Sequence, residues 1–284
     1  MQPRPYLEVD VFGTQPYLGN PLAVVTDAQG LDVQQMQQFA RWTNLSETTF
    51  LVAPTHPEAD YQVRIFTPSR ELPFAGHPTL GSCHAWLAQG GAPRATKHIV
   101  QQCALGLVRL RRDGTRLAFC APSMRRTPID EAALVPVLSA LGLAKGAVQK
   151  AQWLDNGPLW LGLLVDNAQT VLALEPNHAA LTSLGLVGVI GPCKGAAAIG
   201  STEPCDFEVR AFASAAGVAE DPVTGSLNAT LAQWLISEGL APVRYVVSQG
   251  ARLQRRGQLF IEQQEGEVWV GGNCFTCVRG TVQL

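Results

Sequence analysis

The residues best equipped for chemistry fall in two stretches of similar design. Glu71-Leu72-Pro73-Phe74-Ala75-Gly76-His77-Pro78-Thr79-Leu80-Gly81 and Glu220-Asp221-Pro222-Val223-Thr224-Gly225-Ser226-Leu227 each lead from an acidic residue through a proline to a glycine that opens a helix. A helix start presents free N–H groups and partial positive charge, which suits it to an anion such as a carboxylate. The two stretches are expected to face each other across one active site. His77 stands at the first of these starts, where the dipole disfavours imidazolium, so the ring is expected to be neutral and able to give or take a proton. Taken alone, such a histidine is more often a capping or core-edge residue.

Asp221 before Pro222 reads equally well as a catalytic acid or as an N-cap aspartate with proline at the next position. Gly225 and Ser226 offer an N–H and a hydroxyl to a carboxylate, or simply begin the helix. Glu47 lies in Asn44-Leu45-Ser46-Glu47-Thr48-Thr49-Phe50-Leu51-Val52, whose β-branched and aromatic tail places it at the entrance of a strand. With three hydroxyl neighbours it could be a proton-transfer base held by hydrogen bonds; a solvated loop glutamate is the commoner fate. Asn44 and Glu47 also have capping-box spacing, which the strand-like tail argues against.

Other signals point nowhere. Cys274-x-x-Cys277 has no second pair at zinc spacing, Gly185-x-x-Gly188-x-x-Gly191 is not a dinucleotide fingerprint, and Gly191-Pro192-Cys193-Lys194 lacks phosphate-loop spacing. No metal and no cofactor is expected. With 284 residues, 46% apolar and 15% charged, and a net charge of -2, the chain reads as an ordinary soluble globule with no nucleic-acid partner. The amino-terminal residues do not read as a signal peptide and no apolar run is long enough for a membrane span, so a cytoplasmic location is expected. The seven cysteines are expected to be reduced and mostly buried.

The elements that must position these residues follow from periodicity. Alternating runs predict strands over 7–12, 21–25, 61–66, 205–212, 244–247, 258–262, 267–271 and 275–284, with a meander over 98–103, 106–111 and 117–120. Leu159 to Val165 reads as a buried strand, and 195–200 as a strand in close packing. Helices are expected over 31–41, from Pro78 to about Leu87, over 132–141 with Pro136 starting or kinking it, over 177–184 and over 224–237. Pro122 to Pro128 reads as a linker, and 14–19 and 152–157 as loops that shape specificity.

The chain also repeats itself. Val63-Arg64-Ile65-Phe66 returns as Val209-Arg210-Ala211-Phe212, Gly76-His77 as Gly225-Ser226, Gly90 as Gly239, and Val100-Gln101-Gln102 as Val247-Ser248-Gln249, at offsets of 146, 149, 149 and 147. Four landmarks in one order at nearly one spacing imply two similar halves, taken here as 1–123 and 124–284, with a last strand able to cross back to the first half.

Asp10-Val11-Phe12, Gly19-Asn20-Pro21-Leu22-Ala23-Val24-Val25, Ser46-Glu47-Thr48-Thr49-Phe50, Phe66-Thr67-Pro68 and the two stretches above together resemble the PhzF-like family, the phenazine-biosynthesis isomerases and their relatives. The similarity extends to Ser248-Gln249-Gly250 and Val270-Gly271-Gly272. The resemblance implies an α+β, diaminopimelate epimerase-like fold: two pseudo-symmetric halves, each a curled, mainly antiparallel sheet around a central helix, with the site between them. It implies that Glu47 is the proton shuttle and that His77, Asp221 and Ser226 are site residues. It also implies a cofactor-independent isomerase of a small carboxylated metabolite, and a homodimer. Related epimerases and racemases use a cysteine at each helix start; here those positions carry none, which disfavours a two-thiol mechanism. An amino- or hydroxy-acid epimerase and a catalytically silent anion-binding protein remain the alternatives.

Overall fold

The structure, a computed structural model, describes residues 1–193 and 205–284. The strand expected over 195–200 lies outside the described residues. In chain order the first part holds β1 (Pro3–Val11), β2 (Asn20–Val25), α1 (Val33–Thr43), β3 (Thr48–Val52), β4 (Tyr61–Phe66), β5 (Glu71–Leu72), α2 (Gly76–Ala88), β6 (Ile99–Cys103), β7 (Gly106–Asp113) and β8 (Arg116–Cys120). There follow β9 (Arg125–Thr127), α3 (Glu131–Leu141), β10 (Val148–Asp155), β11 (Leu159–Val165), α4 (Ala168–Leu172), α5 (His178–Leu181), β12 (Leu186–Pro192), β13 (Phe207–Ala213) and β14 (Val218–Asp221). The chain ends with α6 (Gly225–Ser237), β15 (Arg244–Gln249), β16 (Gly257–Gln264), β17 (Glu267–Gly272) and β18 (Cys274–Gln283). It divides into two compact units, 1–121 with 269–284, and 122–268. No helix among the described residues is long and apolar enough to cross a membrane.

The two units repeat one ladder order. In the first, β1 pairs antiparallel with β2, β2 parallel with β3, β3 antiparallel with β4, β4 parallel with β6, and β6 antiparallel with β7. In the second, β10, β11, β12, β13, β15 and β16 follow in the same order and the same senses. The outer neighbour of β1 is β18, the last strand of the chain; the corresponding neighbour of β10 is β9. The ladders also correct the repeat by one residue. Tyr61 lies opposite Gln101 and Phe207 opposite Val247, so both members of each pair are 146 positions apart, and Gln102 rather than Gln101 matches Ser248.

Within each unit the sheet curls around one helix. α2 packs against β1, β2, β3, β4, β8 and β18, and α6 against β10, β11 and β16. Both helices are rich in small residues and carry no Asp, Glu, Lys or Arg, and both are buried on every side over their first turns, as a helix without a charged face can be. Small residues let the strands close in: a Cβ at Gly188 of β12 would collide with the Leu227 side chain of α6. The outer face of the first sheet is covered by α1, through Met36 and Ala40 against Val25, Phe50 and Phe66. The second is covered by α3, α4 and α5 against Leu161, Leu163, Val187, Val189 and Phe212.

Several local expectations are corrected. The stretch read as a linker contains β9, and Gln152 to Asp155, read as loop, belong to β10. β10 carries the polar run Gln149-Lys150 on an exposed part of the sheet, which hides its periodicity. α3 does not start at Pro136 but continues through it: that residue lies on the solvent side, where water can take the carbonyl the missing N–H leaves free. Cys193 and Cys205 form a disulfide, against the expectation that all seven cysteines are reduced; the other five form no disulfide. The bond joins the end of β12 to the approach of β13, neighbours in the sheet that the 12-residue separation in sequence conceals.

Candidate active site

Glu47 is brought to its place by the junction of α1 and β3. Asn44 does not start a helix with it; it closes α1 in the left-handed conformation, at φ 55°. The Thr48 hydroxyl bonds that of Thr43, which donates to the Ala40 carbonyl, while Thr49 donates to Ala23 and accepts from Ser82 of α2. Both donors are thereby spent on holding β3, so the threonines fix the backbone that carries Glu47 rather than its carboxylate.

His77 is the second residue of α2, and its Nε2 lies 3.4 Å from Glu47 Oε2, beyond ordinary hydrogen-bond range but in direct contact. The ring is only 3% exposed. Burial pushes its pKa down to about 3, against a smaller opposing effect of the Pro21 carbonyl. The imidazole is therefore neutral, as expected at the sequence level, with desolvation as the main cause. On its other side, Nδ1 lies 3.2 Å from the side-chain nitrogen of Asn20, a residue fully buried at the start of β2. Asn20 is delivered by a tight loop in which the Gly19 N–H donates to Asp10 Oδ2 at 2.8 Å, and where a Cβ at Gly19 would strike the Val11 carbonyl. The N-cap of α2 is Ala75, which offers no side-chain bond, so Gly76 and its neighbours open the helix without a capping side chain.

In the second unit Asp221 is not an N-cap. It ends β14, and α6 begins four residues later, at Gly225 behind Thr224, again with no side-chain cap. Asp221 Oδ2 accepts from the Thr224 hydroxyl at 2.5 Å. Gln249, at the end of β15, ties the segment together. Its Nε2 donates to the Asp221 carbonyl and the Thr224 hydroxyl, and its Oε1 accepts from the Thr224 N–H and from Asn228. Gly225 and Ser226 are buried at the helix start, and Asn156 donates to the Ser226 carbonyl at 3.1 Å. The structure thus joins Glu47 to His77, and Asp221 to Thr224 and the approach to Ser226.

Each helix start is also braced from behind. Arg64 binds Glu71 through two hydrogen bonds of 2.8 and 2.7 Å, and Arg210 binds Glu220 through two of 2.9 and 2.8 Å. These forks span the short ladders of β4 with β5 and β13 with β14, from which the chain enters α2 and α6. The acidic residue at the head of each chemistry-bearing stretch is a structural anchor. Asn20, Asn156 and Gln249 were missed as members of these clusters. The nearest signal was their place beside glycine, in Gly19-Asn20, Asn156-Gly157 and Gln249-Gly250. Among the described residues no group of His, Cys, Asp and Glu is arranged to hold a metal ion. The thiol nearest the start of α2, Cys83, is fully buried and its pKa is pushed up to about 12 by that burial, which leaves it inert as a base.

The model of the phenazine biosynthesis-like protein family, PhzC-PhzF, matches residues 9–280. The chain is 36% identical over 99% of its length to antisense-enhancing sequence 1 of Schizosaccharomyces pombe, covering 99% of that protein. It is 32% identical to the trans-2,3-dihydro-3-hydroxyanthranilate isomerase of Pseudomonas chlororaphis, over 98% of this chain and 99% of that one. A crystal structure of a PhzF-family protein from Enterococcus faecalis superposes with a TM-score of 0.80 at 26% identity, covering 100% of both chains. The α+β, epimerase-like architecture is shared with that structure. Sequence, fold and motifs agree, and the chain belongs to the phenazine biosynthesis-like, PhzC-PhzF family, as an enzyme of the isomerase class.

Proposed function

We propose that this enzyme is a cofactor-independent isomerase that moves a proton between carbons of a small carboxylated metabolite. Glu47 removes a carbon-bound proton and returns it to another carbon of the same molecule, and His77 and Asp221 position or relay protons. Gly76 at the start of α2, and Gly225 with Ser226 at the start of α6, are the substrate-binding residues, each start offering N–H groups, and the serine its hydroxyl, to a carboxylate. The observation that carries this reading is the 3.4 Å contact of Glu47 with an imidazole kept neutral by burial. An imidazolium there would hold the carboxylate in an ion pair and weaken it as a base; a neutral ring leaves it basic and supplies a polar partner when it changes protonation. A positioned acid or base contributes roughly 10² to 10⁴ in rate, so orientation and helix-start N–H groups supply the rest.

The Pseudomonas chlororaphis relative is named for trans-2,3-dihydro-3-hydroxyanthranilate, a cyclic, unsaturated carboxylate, which makes that compound the first probe. Incubated with the enzyme in deuterium oxide, it or another cyclic unsaturated carboxylate is expected to show migration of a C–H proton by NMR. Inversion at a stereocentre without migration would replace this reading by an epimerase. Tight binding with neither change would replace it by an anion-binding protein. Homodimer formation, implied by the family resemblance, belongs to the same proposal and is read by sedimentation.

A further inference from the structure

The neutral His77 ring carries one N–H, and which nitrogen holds it decides what the ring offers Glu47. With the proton on Nε2 the ring donates to the carboxylate; with the proton on Nδ1 it presents a lone pair that only a protonated Glu47 can satisfy. Nδ1 faces the side-chain nitrogen of Asn20 at 3.2 Å. With the amide nitrogen on that side, a donor only, Nδ1 accepts and the ring proton sits on Nε2.

The same device recurs in the second unit, which argues for this orientation of the amide. Asn20 opens β2 and Asn156 precedes β11, equivalent strands in the repeated ladder. Each is buried and each directs its side-chain nitrogen at the second residue of the central helix, His77 in α2 and Ser226 in α6. Asn156 meets a carbonyl oxygen there, which only an N–H can bond. The loop that delivers Asn20 is fixed by the Asp10 bond to Gly19 and by close backbone packing, so the amide is presented with little freedom.

We propose that Asn20 is a positioning residue whose side-chain amide holds the ring proton of His77 on Nε2, facing Glu47, so that the imidazole serves the glutamate as a hydrogen-bond donor. This rests on the reading of Glu47 as the proton carrier. The Pro21 carbonyl also faces the ring and is the acceptor against which the Asn20 amide sets the proton's position.

The test is the ¹⁵N spectrum of histidine-labelled protein without substrate, in which protonated and unprotonated ring nitrogens resonate far apart. His77 is assigned among the five histidines by its loss in His77→Gln. The expected result is an unprotonated Nδ1 and a protonated Nε2, reversed in Asn20→Asp, whose carboxylate demands an N–H on Nδ1. Turnover of Asn20→Asp is expected to fall by between about 10-fold and the 10⁴-fold that a wrong imidazole tautomer costs a serine-protease triad. A proton on Nδ1 in the unaltered protein would overturn the proposal, and that spectrum needs no variant to fold. So would an unchanged tautomer in a folded Asn20→Asp. The spectrum is read in the resting protein, so its result is independent of turnover: full activity of Glu47→Gln would remove the Glu47 reading while leaving the tautomer assignment standing.

Discussion

Glu208 gives the structure a pH dependence that can be worked out in advance. It lies in β13, opposite Ser248 of β15 and Gly191 of β12, and is 1% exposed. Burial raises its pKa from 4.5 to about 7, outweighing the Ser248 hydrogen bond and Arg210, which lower it, while Glu220 adds a small increase. A carboxyl whose folded pKa lies above its unfolded one holds a proton that the unfolded chain has released. Its stabilising contribution is full below pH 4.5 and is lost as pH rises through about 7. Each pH unit of that gap is worth roughly 1.4 kcal/mol, which makes the loss about 3 kcal/mol. Glu208→Gln keeps the shape and cannot ionise, so it should match the unaltered protein at pH 4.5 and exceed it by up to about 3 kcal/mol at pH 8. Urea unfolding of both proteins across that range reads the difference, and other titrating groups cancel in it. A difference that does not change with pH would refute the reasoning.

His77 has the opposite sign. Its folded pKa, pushed down from 6.5 to about 3, means that its contribution is present above pH 6.5 and is lost as pH falls through about 3, so His77→Gln should reduce acid lability in the same unfolding experiment. The Arg210–Glu220 fork has side chains 5% and 6% exposed, so Glu220→Gln should cost about 3–5 kcal/mol in unfolding free energy. Its counterpart Arg64–Glu71 is 24% and 33% exposed, and Glu71→Gln should cost about 1 kcal/mol or less. Gly188→Ala, which drives a methyl group into Leu227, should lower stability by about 1–3 kcal/mol by thermal or urea unfolding.

The large pattern was legible because the repeat is written in residues that fold locally: Val-Arg-x-Phe strands and glycine-opened helices force the same ladder twice. What escaped depends on contacts between distant segments. Nothing around Gln249 shows that its amide closes on Asp221, Thr224 and Asn228, and nothing around Asn20 shows that it meets His77 57 residues later. Asp221-Pro222 satisfies every local rule for a helix cap, yet a short ladder with β13 holds it as strand and moves the helix start to Gly225. The Cys193–Cys205 bond was hidden for the same reason, since the strands that bring the thiols together are set by the sheet. The place of Glu47 at the entrance of β3 was readable because only local information was needed, a β-branched run directly after it.

The account stands most directly on the proton that Glu47 is proposed to carry. Once a turned-over carboxylate is in hand, Glu47→Gln should be compared with the unaltered enzyme for the rate at which the migrating C–H proton moves, in water and in deuterium oxide. The isosteric amide keeps the contact with His77 and cannot accept the proton. A loss of roughly 10² to 10⁴ in that rate, with the fold and the binding of the carboxylate retained, is the predicted result. Full turnover by Glu47→Gln would contradict it.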